Sequence, residues 1–404
     1  MRFSWLRIGV LAVTGYALVN LLLTGSPNIL HQLTGESHNS SKNASDTRLP
    51  AARATIPLLN VSAAFRGFIP VKKSFWNQRQ HQLFQKLEEL RRRGATEYVP
   101  PQKCNLTSLG AEIPDVHTYS QAHRDFAYYM SCRDHPQRIN HRDKCSGGVF
   151  LLLAVKSRAA NFDRRQAIRV TWGREASVRG VGVRTVFLVG SASDLGQGPD
   201  LQQLLSYEDH LHGDILQWEF KDTLFNLTLK DNLFLKWATA HCPSVQYVFK
   251  GDDDIFLNTP ALLDFLQSLN KNQSKQLYVG QTITNASPLR DAKNKYSVPV
   301  SFYDGAYPAY AGGGGFLYSG SLVRLLYEVS HYIPFYPIDD VFTGMCFSAL
   351  GISPLHHQGF RTFDIEAKHR ENPCTYVDLI LVHQRSPLQT MELWRRLQNP
   401  ELRC

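Results

Sequence analysis

Several features are missing from this sequence, and each absence closes off a class. Its seven cysteines never fall in C-x-x-C spacing, which excludes a zinc ribbon or finger. No block of Lys and Arg is interleaved with aromatics, so a nucleic-acid groove is excluded in spite of the net charge of +9. No EF-hand spacing surrounds the acidic residues, because the loop glycine and closing glutamate are missing, and calcium storage is disfavoured. Internal repeats and low-complexity arrays are absent as well.

What is present begins with a long apolar stretch, Ile8 to Leu23, behind Arg2 and Arg7 and ahead of Thr24, Gly25, Ser26 and Pro27. Its length, with no A-x-A site after it, predicts an uncleaved signal anchor over 8–25 and a cytoplasmic tail over 1–7. The positive flank then sends the remainder to the lumen. Residues 26–73, rich in Ser, Asn, Thr and Pro, read as a flexible glycosylated stem. The seven Asn-x-Ser/Thr sequons, at Asn39, Asn43, Asn60, Asn105, Asn226, Asn272 and Asn285, agree with a luminal body. So do the cysteines, which predict disulfides in an oxidising compartment with at least one thiol left over.

The 404 residues, 43% of them hydrophobic, could fill two average domains or one large α/β domain with appendages. Residues 74–147 read as a helical, cysteine-bearing region. It opens on "SFWNQRQHQLFQKLEELRRRG", where Phe75, Leu83, Phe84, Leu87 and Leu90 are spaced for a packing helix. From 148 on, short apolar runs alternate with amphipathic segments. "GVFLLLAVKS", "RTVFLVG" and "VQYVFK" read as strands, and "RRQAIRVTWG" and "TLKDNLFLKWATAHC" as helices between them. This β-α-β alternation predicts a mainly parallel sheet covered by helices on both faces, with ligands at the carboxyl ends of its strands.

Asp252, Asp253 and Asp254 stand at such an end. A like-charged triplet at the mouth of a buried strand repels itself unless a cation neutralises it, and carboxylate oxygens suit Mn²⁺ or Mg²⁺; a solvated acidic loop is the competing reading. Lys156, Arg164, Arg165 and Arg169, on the first strand and the helix after it, are candidates for phosphate, against a solvated basic face. Asp339 and Asp340 open an apolar helix, where they either cap it or supply a general base. The glycines Gly312 to Gly315 suit a close approach to backbone, or a plain flexible turn. His383 follows an apolar strand and is either structural or a metal ligand.

Taken in order, "FLLLAVKS", "RRQAIRVTWG", "FNLTLKDNLFLKW", "FKGDDDIFLN", "YAGGGGFLYSG", "YPIDDVFTGMC" and "GFRTFDI" resemble the motifs of the inverting β-1,3-glycosyltransferases of the Golgi. Within that family the four glycines and the Asp339-Asp340 pair are most similar to the β-1,3-N-acetylglucosaminyltransferases that extend poly-N-acetyllactosamine. Ala309, where a proline is expected, departs from that pattern and bears on acceptor preference. The resemblance implies a GT-A type, Rossmann-like mixed sheet flanked by helices as the catalytic domain over 148–404. It implies a UDP-N-acetylglucosamine donor, Mn²⁺ with Mg²⁺ as a substitute, and galactose-terminated glycan acceptors on glycoproteins or glycolipids. Asp254 and His383 become the metal ligands, Asp252 and Asp253 face the sugar and ribose, and Lys156 with the three arginines lies on the nucleotide side. Asp340 becomes the base, with Asp339 orienting it or touching the acceptor. The implied setting is a single-pass type II protein of the Golgi membrane, open to association with other transferases there. The alternatives are a β-1,3-galactosyltransferase and a catalytically silent partner of another transferase.

Overall fold

The computed structural model describes residues 55–101, 104–178, 180–192 and 200–404. The expected tail and anchor, and the stem as far as residue 54, lie outside the described residues. Among the described residues no helix is long and apolar enough to cross a membrane.

The folded body begins earlier than the composition suggests. Ile56–Pro57 pairs antiparallel with Glu97–Tyr98, and the helix Ala63–Phe68 is capped by Ser62 Oγ, which accepts from Phe65 N at 3.1 Å. Val61, Phe65 and Ile69, spaced four apart, lie in the main core. Residues 55–73 are therefore part of the body and not of a stem. Their apolar face was diluted among Ser, Pro and a sequon. The helix Phe75–Arg92 forms as its spacing predicts. It also buries Asn77 and Gln80, whose amides donate to the carbonyls of Pro70, Asp304 and Tyr332 at 3.0, 3.0 and 2.9 Å.

Among the described residues the main sheet has nine strands and is mixed. Leu151–Lys156 lies at its centre, parallel to Val181–Val189 on one side and to Tyr247–Asp252 on the other. Ile215–Trp218 extends the parallel part, and Gln137–Ile139 closes that end antiparallel. Beyond Tyr247–Asp252, Gly315–Ser319 runs antiparallel, followed by Tyr278–Gly280 and Leu355–His356. The central runs are apolar throughout because both faces are covered. Leu152 and Ala154 face one core with the helices Leu227–His241, Val323–Ser330 and Asp339–Ala349. Leu151, Leu153 and Val155 face a second core with Phe162–Val170, Leu201–His212 and Thr259–Ser268.

The cysteines pair as Cys104–Cys132, Cys145–Cys242 and Cys374–Cys404, leaving Cys346 free and buried. The expected odd thiol is thus a core residue.

Candidate active site

Strand register performs the first step of assembly. Lys156 pairs across the sheet with Asp252, both at strand ends. Side chains alternate along a strand, so Lys156, Lys250 and Asp252 share a face with Leu152, Ala154 and Val248. On that face the helix Leu227–His241 presents Asp231 and the helix Asp339–Ala349 presents its first residue. A buried chain of alternating charge results. Lys156 Nζ lies 2.6 Å from Asp339 Oδ2 and 3.0 Å from Asp252 Oδ1. Lys250 Nζ lies 3.7 Å from Asp339 Oδ2 and also pairs with Asp231.

The adjacent aspartates are thereby made unlike. Burial alone would raise the pKa of Asp339, but Lys156 and Lys250 outweigh it and hold the carboxyl well below the usual range. Asp340 has no cation within ion-pair distance among the described residues; its Oδ1 accepts only from Val341 N, at 2.8 Å. Burial, reinforced by the charge of Asp339 and opposed by Lys156, pushes it up to about 7.

A second pairing gathers the other cluster. Asp253 and Asp254 turn the chain into Ile255–Leu257, which runs antiparallel to Leu381–His383 with His383 opposite Ile255. His383 Nε2 consequently sits 3.2 Å from Asp254 Oδ1. Phe360–Arg361 lies parallel on the far side, and the carbonyl of Thr362 accepts from His383 Nδ1 at 3.0 Å, which leaves Nε2 for the cluster. Ligand atoms of Asp252, Asp254 and His383 all lie within 4.8 Å of one another. Two carboxylates and an imidazole with a carbonyl-fixed tautomer form a donor set that fits Mn²⁺ or Mg²⁺. Burial lowers the pKa of His383, but the Asp254 carboxylate outweighs this and raises it.

The four glycines are sites of close packing, not a flexible turn. A β-carbon on Gly312 would lie 2.5 Å from Thr362, one on Gly313 2.9 Å from Asp340 Oδ2, and one on Gly314 3.2 Å from His383 Cβ. The run thus lets Asp340 and the cluster of Asp252, Asp254 and His383 approach each other across bare backbone. Both open on one cleft of about 740 Å³, which Tyr296, Tyr307, Tyr310 and Phe363 also line.

The galactosyltransferase family model matches residues 163–358. The mouse N-acetyllactosaminide beta-1,3-N-acetylglucosaminyltransferase 2 is 44% identical over 82% of this chain and 86% of its own length. The human protein of that name is 50% identical over 70% of this chain and 71% of its own. The chain belongs to the galactosyltransferase family. The mouse acetylgalactosaminyl-O-glycosyl-glycoprotein beta-1,3-N-acetylglucosaminyltransferase is 42% identical over 70% of this chain and 74% of its own, so the family contains names with different acceptors.

The structure redistributes several roles expected of this galactosyltransferase-family chain. Arg165 is fully buried, and Glu208, Ser157 Oγ and the carbonyls of Arg158 and Ala159 accept from it through five hydrogen bonds. Arg169 is held by both oxygens of Asp214, at 2.8 Å each, and by Glu208 at 2.6 Å. Arg165 has all five N–H donors engaged, and Arg169 has three engaged with its charge answered by two carboxylates, so both fix the loop and helix after the first strand. Arg164 alone of the three reaches the acidic turn, 3.2 Å from Asp253 and 3.4 Å from Asp254. Lys156 is spent on Asp339 and Asp252 rather than on phosphate. Asp253 accepts from Ser157 Oγ at 2.6 Å and Asn161 Nδ2 at 2.8 Å, which makes it a tie between loops and not a sugar contact. Asp252 instead joins Asp254 and His383. Sequence reasoning missed Asp231, Lys250 and Thr362. It also missed Asp364, which lines the cleft between Arg370 at 2.7 Å and Arg385 at 2.9 Å.

Proposed function

We propose that this chain transfers N-acetylglucosamine from UDP-N-acetylglucosamine in β-1,3 linkage, with inversion, to the terminal galactose of N-acetyllactosamine-type glycans. The family description names galactose, whereas the relatives at 44–50% identity are named for N-acetylglucosamine, and the latter guide the donor assignment. The observation that carries the reading is the division of labour between Asp339, neutralised by lysines, and Asp340, unpaired and facing the cleft. A carboxylate whose pKa lies near neutrality is matched to take a proton from an alcohol at working pH.

In this reading Asp340 removes the proton of the galactose 3-hydroxyl. The freed oxygen forms a bond to the anomeric carbon as the bond to the diphosphate oxygen breaks, and that electron pair leaves with UDP. Because a single displacement occurs on the face opposite UDP, an α-linked donor gives a β-linked product. Asp252, Asp254 and His383 would hold Mn²⁺ or Mg²⁺, which when bound supplies Lewis-acid stabilisation of a leaving diphosphate. Asp339 fixes the start of the helix and so aims Asp340. The fold is of GT-A type in this reading, and the body resides in the Golgi lumen on a single N-terminal anchor; three disulfides and seven sequons support an oxidising, glycosylating compartment.

The test is a panel of UDP-sugars with a terminal-galactose acceptor, read by product mass and linkage. A β-1,3-linked N-acetylglucosamine product is expected. Transfer of galactose in its place would overturn the donor assignment, and tight UDP-sugar binding with no turnover would make the chain a silent partner.

A further inference from the structure

A second cavity, of about 230 Å³, shares no lining residue with the cleft. It is walled by the helix Phe75–Arg92, the strand Glu97–Tyr98 and the segment from His331 to Phe335. Among the described residues three cationic side chains line it, Arg79, Lys86 and Arg133, and no Asp or Glu does. Arg79 is answered from outside by Glu112, at 2.8 Å. The other two have no carboxylate within ion-pair distance among the described residues. Arg133 lies against the Phe335 ring, 3.9 Å from its centroid, and donates only to the carbonyls of Ser330 and Ile333, at 3.0 and 2.8 Å, and weakly to Ser330 Oγ. Lys86 Nζ sits 5.1 Å over the Tyr98 ring.

Polar atoms around this cavity are also unsatisfied. Among the described residues the Tyr98 hydroxyl, on a residue only 1% exposed, has no hydrogen-bond partner, and neither ring nitrogen of His331 nor Nε of Arg79 has one. A buried donor left unmade costs about 1–3 kcal/mol, and here that cost falls on the Tyr98 hydroxyl, since Lys86 is exposed and Arg133 partly exposed. That cost stands unless something fills the hollow. Burial, with the charges of Arg133 and Lys236 adding to it, lowers the pKa of His331 to about 2.

We propose that this cavity is a second ligand site, which takes an oxyanion group against Arg133, Lys86 and the Tyr98 hydroxyl. The volume is below the 300 to 1,000 Å³ of a typical drug-sized pocket, so the ligand is a small anion or a single acidic sugar residue. The guanidinium and ammonium supply charge, Tyr98 O–H a fixed donor, and the Phe335 and Tyr98 rings an apolar floor that strengthens both. The assignment is independent of the transfer reaction, since no residue of the cleft takes part.

Calorimetry on the full chain at constant ionic strength tests it, with sodium sulfate, inorganic phosphate and N-acetylneuraminic acid as separate probes. Each titration is repeated with excess UDP, to cover phosphate-binding groups in the cleft. The expected result is saturable one-site binding of at least one probe, unchanged by UDP and weakened tenfold or more by Lys86→Met and by Arg133→Met. Binding of all three would identify a free oxyanion as sufficient; binding of the sugar acid alone would identify a glycan carboxylate. Should Arg133→Met fail to fold, Lys86→Met and Tyr98→Phe give the same reading, and transfer by Lys86→Met without added anion should match wild type. No saturable binding, or binding indifferent to Lys86→Met and Tyr98→Phe, would overturn the site.

Discussion

Lys156 Nζ stands 2.6 Å from Asp339 Oδ2, and this contact separates two adjacent carboxylates that the sequence leaves equivalent. Asp340→Asn should cost about 10²- to 10⁴-fold in turnover, because an amide keeps the shape but takes no proton. UDP-N-acetylglucosamine binding should survive. Asp339→Asn should behave differently: it removes the shared carboxylate between Lys156 and Lys250, leaving each with one partner, Asp252 and Asp231, in a buried chain now short of one negative charge, a loss on the order of a few kcal/mol. Its lost activity should therefore come with a clear fall in Tm. If Asp339→Asn kept its Tm and lost turnover while Asp340→Asn stayed active, the roles would have to be exchanged.

Removal of divalent cations should abolish transfer reversibly. Asp254→Ala and His383→Ala should each raise the Mn²⁺ concentration needed for half-maximal rate by roughly tenfold or more, judging from ligand-shell substitutions elsewhere. Thr362 acts on His383 through its backbone carbonyl, so Thr362→Val should leave the Mn²⁺ requirement largely intact. Full rate in the presence of EDTA would contradict the cluster.

Gly313→Ala tests the close approach directly. The added carbon would lie 2.9 Å from Asp340 Oδ2, so the carboxylate must turn aside. We expect kcat to fall by an order of magnitude or more, with Mn²⁺ affinity little changed because Gly313 does not meet His383. Gly314→Ala should do the converse and disturb Mn²⁺ binding, since its new carbon meets Thr362 Oγ1 and His383. Two variants with the same profile would mean that the run serves folding in general.

Much of this fold was legible, and the failures share a cause. The strands announced themselves as unbroken apolar runs because helices cover both faces of the sheet. The acidic turn and His383 were identifiable because each ends such a run. What sequence order could not supply was register: that Lys156 faces Asp252, or that His383 meets Asp254, follows from pairings between segments far apart in the chain. The arginines were partly readable. Arg165 and Arg169 are four apart and so share a helix face, while Arg164 points about 100° away. Only Arg164 reaches the site, but the carboxylates that claim the other two, Glu208 and Asp214, carry no local signal. The misplaced stem boundary has a compositional origin, since Val61, Phe65 and Ile69 are sparse among polar neighbours.

That boundary has a practical consequence. A chain beginning at Arg53 should fold and turn over, whereas one beginning at Ser74 should not accumulate. The shorter chain loses Val61, Phe65 and Ile69 from the core. Each such burial contributes about 1.5–3 kcal/mol, a sum comparable to the about 5–15 kcal/mol that holds a typical domain. Yield, Tm and transfer rate of the two secreted chains decide the matter, and an active, stable Ser74 start would return residues 55–73 to the stem.

Asp340 also makes a prediction about stability that is separate from catalysis. Its pKa is raised by burial and by Asp339, to about 7 from the model-peptide value of 3.8. Between those two values the folded state therefore holds a proton that the unfolded chain has released. Stability must fall as pH rises through that window, because the unfolded state binds fewer protons there. Asp340→Asn removes the titration. In metal-free buffer the variant should melt a few degrees above wild type at pH 8, with the gap closing as pH falls and vanishing below about pH 4, where both side chains are neutral. The wild-type rate should decline over the same interval, as protonation removes the base. A bound divalent cation would lower the pKa of Asp340, so adding Mn²⁺ should narrow the gap in Tm at intermediate pH. A gap that ignored pH, or a variant less stable at pH 8, would show that the Asp340 carboxyl is not held against its own charge, and the argument for it as a base poised near neutrality would fail with it.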